Sequence, residues 1–420
     1  MDSNTITRLN PSTEISREKG QMELQQHGLS LTMRQPLAAS RSAALSALFI
    51  AGFATFINVY ATQPLLPEFR QIFNASELLV SLTVSAPVLA VVLIAPLVGL
   101  MADAVGRKRV IVAAMLCLAV PTALTALAAN LYQLIIWRFL QGLFVPGIIA
   151  VAMTYVSEES PGPAVGSTMA IYVTGGIVGG FAGRFITGII AHHWGWRVPF
   201  VVLGALTFAG ALATWRILPR ARKFVPQNSA AVLLGSLNSH LRNPQLLATY
   251  AVGSSVLFCM VAAFTYINFY LADKPFYLGP AALGMIFAVY LVGAVITPMA
   301  GPILDRVGYR KALMGAAGIV AMGMLLTLVR CVPVIITGLA IAATGVFICQ
   351  AAASSNVGKA AGMAGSSAAG LYVASYYLGG FAGSILPGFF WKQTGWLGCV
   401  AIIIWIQMLT ALMAYKFWKN

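Results

Sequence analysis

Twelve apolar runs, each near the length of about 20 helical residues that a hydrocarbon core demands, fill the chain between residues 43 and 417. They lie near 43–66, 79–101, 110–128, 131–156, 165–191, 197–218, 246–272, 280–303, 312–329, 332–353, 362–390 and 396–417. Hydrophobic residues make up 59% of the 420 and charged residues only 9%. A soluble domain carries about 25% charged residues, so the composition excludes one. The runs read as transmembrane helices, and their internal Pro and Gly are tolerable because neighbouring helices recover the freed backbone groups.

The runs fall into two related sets of six. GGFAG occurs at Gly179 to Gly183 and again at Gly379 to Gly383, and each copy is followed at the same distance by a Gly-Trp pair, Gly195-Trp196 and Gly395-Trp396. A second signature, GLMADAVGRKR from Gly99 to Arg109, returns as GPILDRVGYRK from Gly301 to Lys311. Self-similarity at a fixed offset marks a repeated architecture. The expectation is an all-α membrane protein of two pseudo-symmetric six-helix bundles. A mobile cytoplasmic tail is expected over 1–40, the first bundle over 41–218, a cytoplasmic linker over 219–244 and the second bundle over 245–420.

Basic residues orient the runs, because cytoplasmic loops near helix ends collect Lys and Arg. With both termini in the cytoplasm, 19 of the 26 basic residues fall inside and five outside. The formal charge of +15 is then a consequence of topology, which removes the reason to invoke a nucleic-acid partner. The five cysteines sit in or beside apolar runs at no metal-like spacing. His27, His192, His193 and His240 form no catalytic or ligating set. No metal, cofactor or enzymatic chemistry is therefore expected, and the partners are lipid, a small-molecule substrate and protons, with the chain as a monomer.

The loop after the second run carries Gly99, Asp103, Gly106, Arg107, Lys108 and Arg109, and its second copy carries Gly301, Asp305, Arg306, Gly308, Arg310 and Lys311. GxxxDxxGRKR resembles the loop signature of the major facilitator superfamily. RFLQG in the fourth run, with Arg138, Gln141 and Gly142, resembles that superfamily's RxxQG. The glycines of the fifth run resemble its antiporter motif, with Gly180 where proline is expected and Arg184 where the last glycine is expected. The resemblance implies the major facilitator fold, a place in the bacterial cytoplasmic membrane and a drug-exporter-like branch. It also implies that the Asp103 loop holds the halves together on the cytoplasmic side. Glu158 and Glu159 at the end of the fourth run could pair with the basic triplet as a latch that breaks on opening, or stand solvated. Gly175, Gly179 and Gly183, echoed by Gly379 and Gly383, present smooth faces, read as a moving seam between halves.

Arg138 and Arg184 lie within apolar runs, where a cation is costly and suggests function by default. Arg138 has two readings: an anion contact, or a residue satisfied by carbonyls or polar side chains of the first run, such as Asn58 or Gln63. None of the eleven acids falls in the middle of a run. A permanently cationic substrate would lack a counter-charge, so a neutral or anionic one is expected. Depth along the runs nominates Phe56, Asn58, Tyr60, Arg138, Gln141, Phe144, Arg184, Phe258, Phe264, Tyr290, Thr344 and Tyr376 as substrate contacts. Proton-linked efflux by alternating access is the first functional reading, and uptake or facilitated diffusion of an organic anion or sugar-like solute is the second.

Overall fold

A computed structural model describes residues 42–160, 165–219, 242–361 and 365–418, and every described element is helical. The first half contains α1 (Ser42–Ile72), α2 (Glu77–Val105), α3 (Arg107–Leu124), α4 (Leu131–Glu159), α5 (Val165–Trp194) and α6 (Val198–Ile217). The second contains α7 (Pro244–Ala272), α8 (280–307), α9 (Tyr309–Leu326), α10 (Val332–Ala361), α11 (Gly365–Thr394) and α12 (Trp396–Phe417). Ten described helices are individually long and apolar enough to cross a membrane. α8 is divided, running from Pro280–Ile286 through a 3-10 turn at Phe287–Tyr290 into Leu291–Val307. The expected tail, most of the linker, residue Gly99 beyond its helical backbone, and the side chains of Asp103 and Asp305 lie outside the described residues.

Two prolines disturb the hydrogen bonding of the first two helices. Pro64 follows a turn at residues 60–62, where Gln63 N–H bonds Tyr60 O at 3.1 Å instead of continuing the α pattern. Pro87 lies in the unbroken helix α2 and has no N–H to give to Thr83 O, its i−4 partner. Asn58 O still accepts Ala61 N–H, at 3.2 Å, and a carbonyl has two lone pairs, so the carbonyls at 58, 59 and 83 can each take a side-chain donor. The signature glycines Gly106 and Gly308 have φ of 98° and 86°, a region L side chains avoid. Each turns the chain between consecutive helices.

The glycine stripes pack within each half, which corrects the expectation of a seam between halves. A Cβ built at Gly175, Gly179 or Gly183 would come within 2.3, 2.4 or 2.1 Å of the carbonyls of Phe49, Phe53 and Ile57 on α1. Gly379 and Gly383 on α11 meet Ser254 O and Phe258 O of α7 in the same manner, at 1.9 and 2.5 Å. Small residues let the backbones touch where dispersion has to hold helices together without a hydrophobic drive. Such contacts fix α1 to α5 and α7 to α11.

The halves meet instead through α5 on α8 and α2 on α11. A Cβ at Gly188 would come within 2.3 Å of Pro280 O, and one at Gly388 within 2.8 Å of Leu78 Cδ1. These crossings share one end of the molecule with two polar contacts between the ends of α1 and α7, the first helices of the two halves. Gln63 Nε2 donates to Thr265 Oγ1 at 3.1 Å across 202 positions. Arg70 donates to both carboxylate oxygens of Asp273, at 2.6 and 3.1 Å, across 203 positions. Glu77 receives Arg70 Nη1 at 3.0 Å. At the opposite end, α4 and α5 have no substantial packing on α10 or α11 among the described residues. The bundles therefore converge at the Arg70 end and diverge toward the Arg107 end.

Gly183→Val should weaken the α1–α5 contact by about 1–3 kcal/mol, the usual cost of overpacking. A clear fall in the thermal midpoint of the detergent-purified protein, with Gly166→Val as an unaffected control because its Cβ meets open space, is the measurement.

Candidate functional site

Both membrane arginines are buried, and their surroundings differ. Arg138 on α4 is 1% exposed. Its Nε donates to Thr83 O at 2.9 Å, its Nη1 to Asn58 O at 2.9 Å and to Gln141 Oε1, and its Nη2 to Val59 O. All three nitrogens are engaged. Their backbone acceptors are Thr83 O, which Pro87 leaves without its i+4 donor, and two carbonyls at the turn before Pro64, so Arg138 ties α4 to the irregular points of α1 and α2. The structure matches the reading in which carbonyls satisfy this residue.

The neighbours nominated with Arg138 turn away to brace it. Gln141 receives the guanidinium and donates through Nε2 to Thr125 Oγ1 at 2.9 Å on the adjoining turn. Asn58 donates to Ala54 O at 2.7 Å and to Thr207 Oγ1 on α6 at 2.8 Å. Neither amide faces the other half. Phe258 is buried beneath Gly383, and Thr344 returns its hydroxyl to Ala340 O on its own helix at 2.9 Å. Phe144 is half-buried and packs on the core.

Arg184 on α5 is 2% exposed and sits where the two halves meet. Its Nε donates to Gln63 Oε1 at 2.6 Å and its Nη1 to Gly180 O. Three rings surround its guanidinium: Tyr60 of α1 at 4.8 Å, and Phe287 and Tyr290 of α8 at 4.7 and 4.6 Å from the ring centroids. Cation–π attraction of this kind is worth about 2 kcal/mol or more when the cation is desolvated. No carboxylate pairs with either membrane arginine among the described residues. Aromatic faces take the place of a counter-ion.

The cluster gathers Tyr60, Arg184, Phe264 and Tyr290 from the nominated set, with Phe264 4.6 Å from Tyr290 and 5.5 Å from Phe287. Tyr376 and Tyr290 are within electrostatic reach of Tyr60, and Tyr376 donates to Gln350 Oε1 at 3.3 Å. Phe56 lies half-buried one turn before Tyr60, its ring against Gly176. Sequence reasoning missed Phe287. Its i, i+3 relation to Tyr290 puts both on one helix face, and that spacing was a usable signal. Gln63 was noticed only as a partner for Arg138, and the break at Pro64 aims it at Arg184 instead.

At the Arg107 end, Arg107 donates to Glu158 through Nε at 3.1 Å and Nη2 at 2.8 Å. Both residues belong to the first half, and the pair is made while the halves diverge at that end. It is a brace between α3 and α4, so the expectation of a latch broken by opening is corrected. Lys108 and Glu159 also have partners, and Arg306 is exposed.

The profile of the Major Facilitator Superfamily matches residues 48–384. The inner membrane transport protein YnfM of Escherichia coli (strain K12) is 34% identical over 377 residues, covering 89% of this chain and 90% of that protein. A chloramphenicol efflux pump of Mycobacterium tuberculosis is 27% identical over 385 residues, covering 87% of this chain and 90% of the pump. Among solved structures, a bacterial homologue of the human lysosomal transporter Spinster in an inward-facing, occupied conformation superimposes with a TM-score of 0.75 at 15% identity, covering 90% of this chain and 97% of that one.

Arg138→Gln should lower stability by about 2–3 kcal/mol, because charge-assisted bonds are lost and buried carbonyls are left without donors. Thermal unfolding of the purified variant reads this directly. Conversion of Thr125 to Val, which removes the acceptor of Gln141 Nε2 and the hydroxyl's own bond to Pro121 O, should cost about 1–2 kcal/mol.

Proposed function

The chain belongs to the Major Facilitator Superfamily, and from that membership we propose that it is a secondary active transporter that exports a small neutral or anionic organic solute by proton-linked alternating access. One observation carries the reading. An arginine without a carboxylate partner sits between the halves, boxed by aromatic rings from both. A site of this composition attracts amphiphilic solutes and rejects fixed cations. The 27% identity to a chloramphenicol efflux pump supports export of a drug-like or metabolite compound.

The positive-inside rule puts the Arg107 end and both termini in the cytoplasm, which makes the converged Arg70 end the outer face and the described conformation inward-facing. In the bacterial cytoplasmic membrane a monomer would suffice, since each chain supplies both bundles. Transport then requires the outer contacts to part and the α4, α5, α10 and α11 ends to close. The Arg70–Asp273 pair and the Gly188 and Gly388 crossings are the contacts that must yield. The carboxylates at this end, Glu68, Glu77 and Asp273, are the available proton carriers there. Uptake or facilitated diffusion of an organic anion is the second reading, favoured by the absence of an acid in the middle of any run.

Flux into and out of proteoliposomes, with and without a pH gradient, tests the proposal over neutral, anionic and cationic aromatic compounds. Gradient-driven accumulation of neutral or anionic compounds is expected. Flux of a permanently cationic dye that survives Arg184→Gln would sink it. Flux that runs only down its own concentration gradient, indifferent to pH, would select the second reading.

Arg70→Asp should reduce turnover by setting three acids together at the outer seam. Combining it with Asp273→Arg should restore most of the lost rate, as pairing with reversed polarity is regained. A double variant no faster than the single one would remove this clasp from the cycle.

A further inference from the structure

The Arg184 cluster contains donors that the fold leaves unused. Nε and Nη1 are engaged by Gln63 and Gly180, and Nη2 has no hydrogen bond among the described residues. The hydroxyls of Tyr60 and Tyr290, whose rings border the guanidinium, have none either. Neither residue is fully covered: Tyr60 is 7% exposed and Tyr290 is half-buried. Arg138, by contrast, has no nitrogen to spare. The available set is thus Nη2 and the second N–H of Nη1, with two phenols.

That inventory selects a ligand. Two of the five guanidinium N–H groups are engaged, so Nη2 and the second N–H of Nη1 are free to meet the two oxygens of a carboxylate. One charged donor balances one negative charge, while a second charge on the ligand would be buried without compensation. The two phenols supply the remaining hydrogen bonds to a carboxylate's oxygens. Around them the walls are π faces: Phe264 and Phe287 within the cluster, with half-buried Phe56 and Tyr376 beside it. An aromatic ring on the ligand would gain offset or edge contacts there.

We propose that this cluster is the binding site for an aromatic monocarboxylate, held by Arg184 Nη2 and the hydroxyls of Tyr60 and Tyr290. The proposal rests on the transporter reading above and narrows it by naming the substrate class. Arg184 and Tyr60 come from the first half, Tyr290 and Phe287 from the second, so the bound carboxylate touches both bundles. Gly284 of α8 approaches Arg184 O so closely that a Cβ there would lie 2.8 Å from it. The ligand's charged end is held at the crossing that must open to the outer face.

Isothermal titration of the purified full-length protein with sodium benzoate provides the test, with phthalate, acetate, benzyl alcohol and benzyltrimethylammonium as comparison probes. Benzoate should bind at least about tenfold more tightly than each of the others, the difference one charge-assisted bond makes. Tyr290→Phe keeps the ring over Arg184 and loses only the hydroxyl, so it should weaken benzoate binding about 3- to 10-fold. Arg184→Gln should weaken it more than about tenfold. If that variant does not fold, Tyr60→Phe and Tyr290→Phe, checked for a monodisperse elution profile, decide the matter alone. Equal binding of phthalate or benzyl alcohol, or wild-type affinity in both tyrosine variants, overturns the proposal. Carriage of neutral solutes in vesicles with no benzoate binding overturns the substrate class and leaves the transporter reading standing. Benzoate binding with no flux of any solute upholds the site and overturns the transporter reading.

Discussion

A peptide carbonyl inside a bilayer must find a donor within the protein, and the first half of this chain is arranged around that requirement. Pro64 and Pro87 each interrupt a helical ladder at about the same depth. One side chain, Arg138, receives the exposed carbonyls of both α1 and α2. Water would have served the same carbonyls in a soluble protein; here a cation is recruited because nothing else at that depth can donate in three directions. The break in α1 then has a second effect. It sets Gln63, just past the turn, against Arg184 beside the ring of Tyr60. The structural arginine thereby makes possible the geometry of the second one.

Much of this was legible in the residues. Run lengths gave twelve passes, and the doubled GGFAG and GxxxDxxG signatures gave the division into halves. Arg184, standing where the last glycine of the fifth-run motif is expected, marked one position as chemically distinct. What the residues could not convey was partner choice. A stripe of glycines states that a backbone comes close without saying whose, and Gly175, Gly179 and Gly183 spend their smoothness on α1 rather than on the other bundle. Depth along a helix likewise fails to give azimuth. Asn58 and Tyr60 are two residues apart, and a helix advances about 100° per residue, so one binds α6 while the other borders Arg184.

The two arginines also show how membrane cations can be held without acids. Arg138 is neutralised in practice by oriented carbonyl dipoles, Arg184 by ring quadrupoles and two polar oxygens. The first arrangement engages all three guanidinium nitrogens and the second leaves Nη2 without a partner among the described residues. Buried charge thus has two outcomes, a tied joint between helices in one case and unused hydrogen-bonding capacity between the halves in the other.

The contacts of Gln63 with Thr265 and of Arg70 with Asp273 join nearby, though not strictly corresponding, positions at the ends of α1 and α7, the first helices of the two halves. In a true homodimer, side chains so close to the line relating two like bundles would lie near their own copies. Two first halves would bring Arg70 near Arg70, and two second halves Asp273 near Asp273, in each case like charge near like. Having both halves in one polypeptide removes that restriction, because the two positions can carry opposite signs. The clasp is therefore a record of what fusion permits: two bundles alike in backbone whose outer ends attract one another only in the mixed combination.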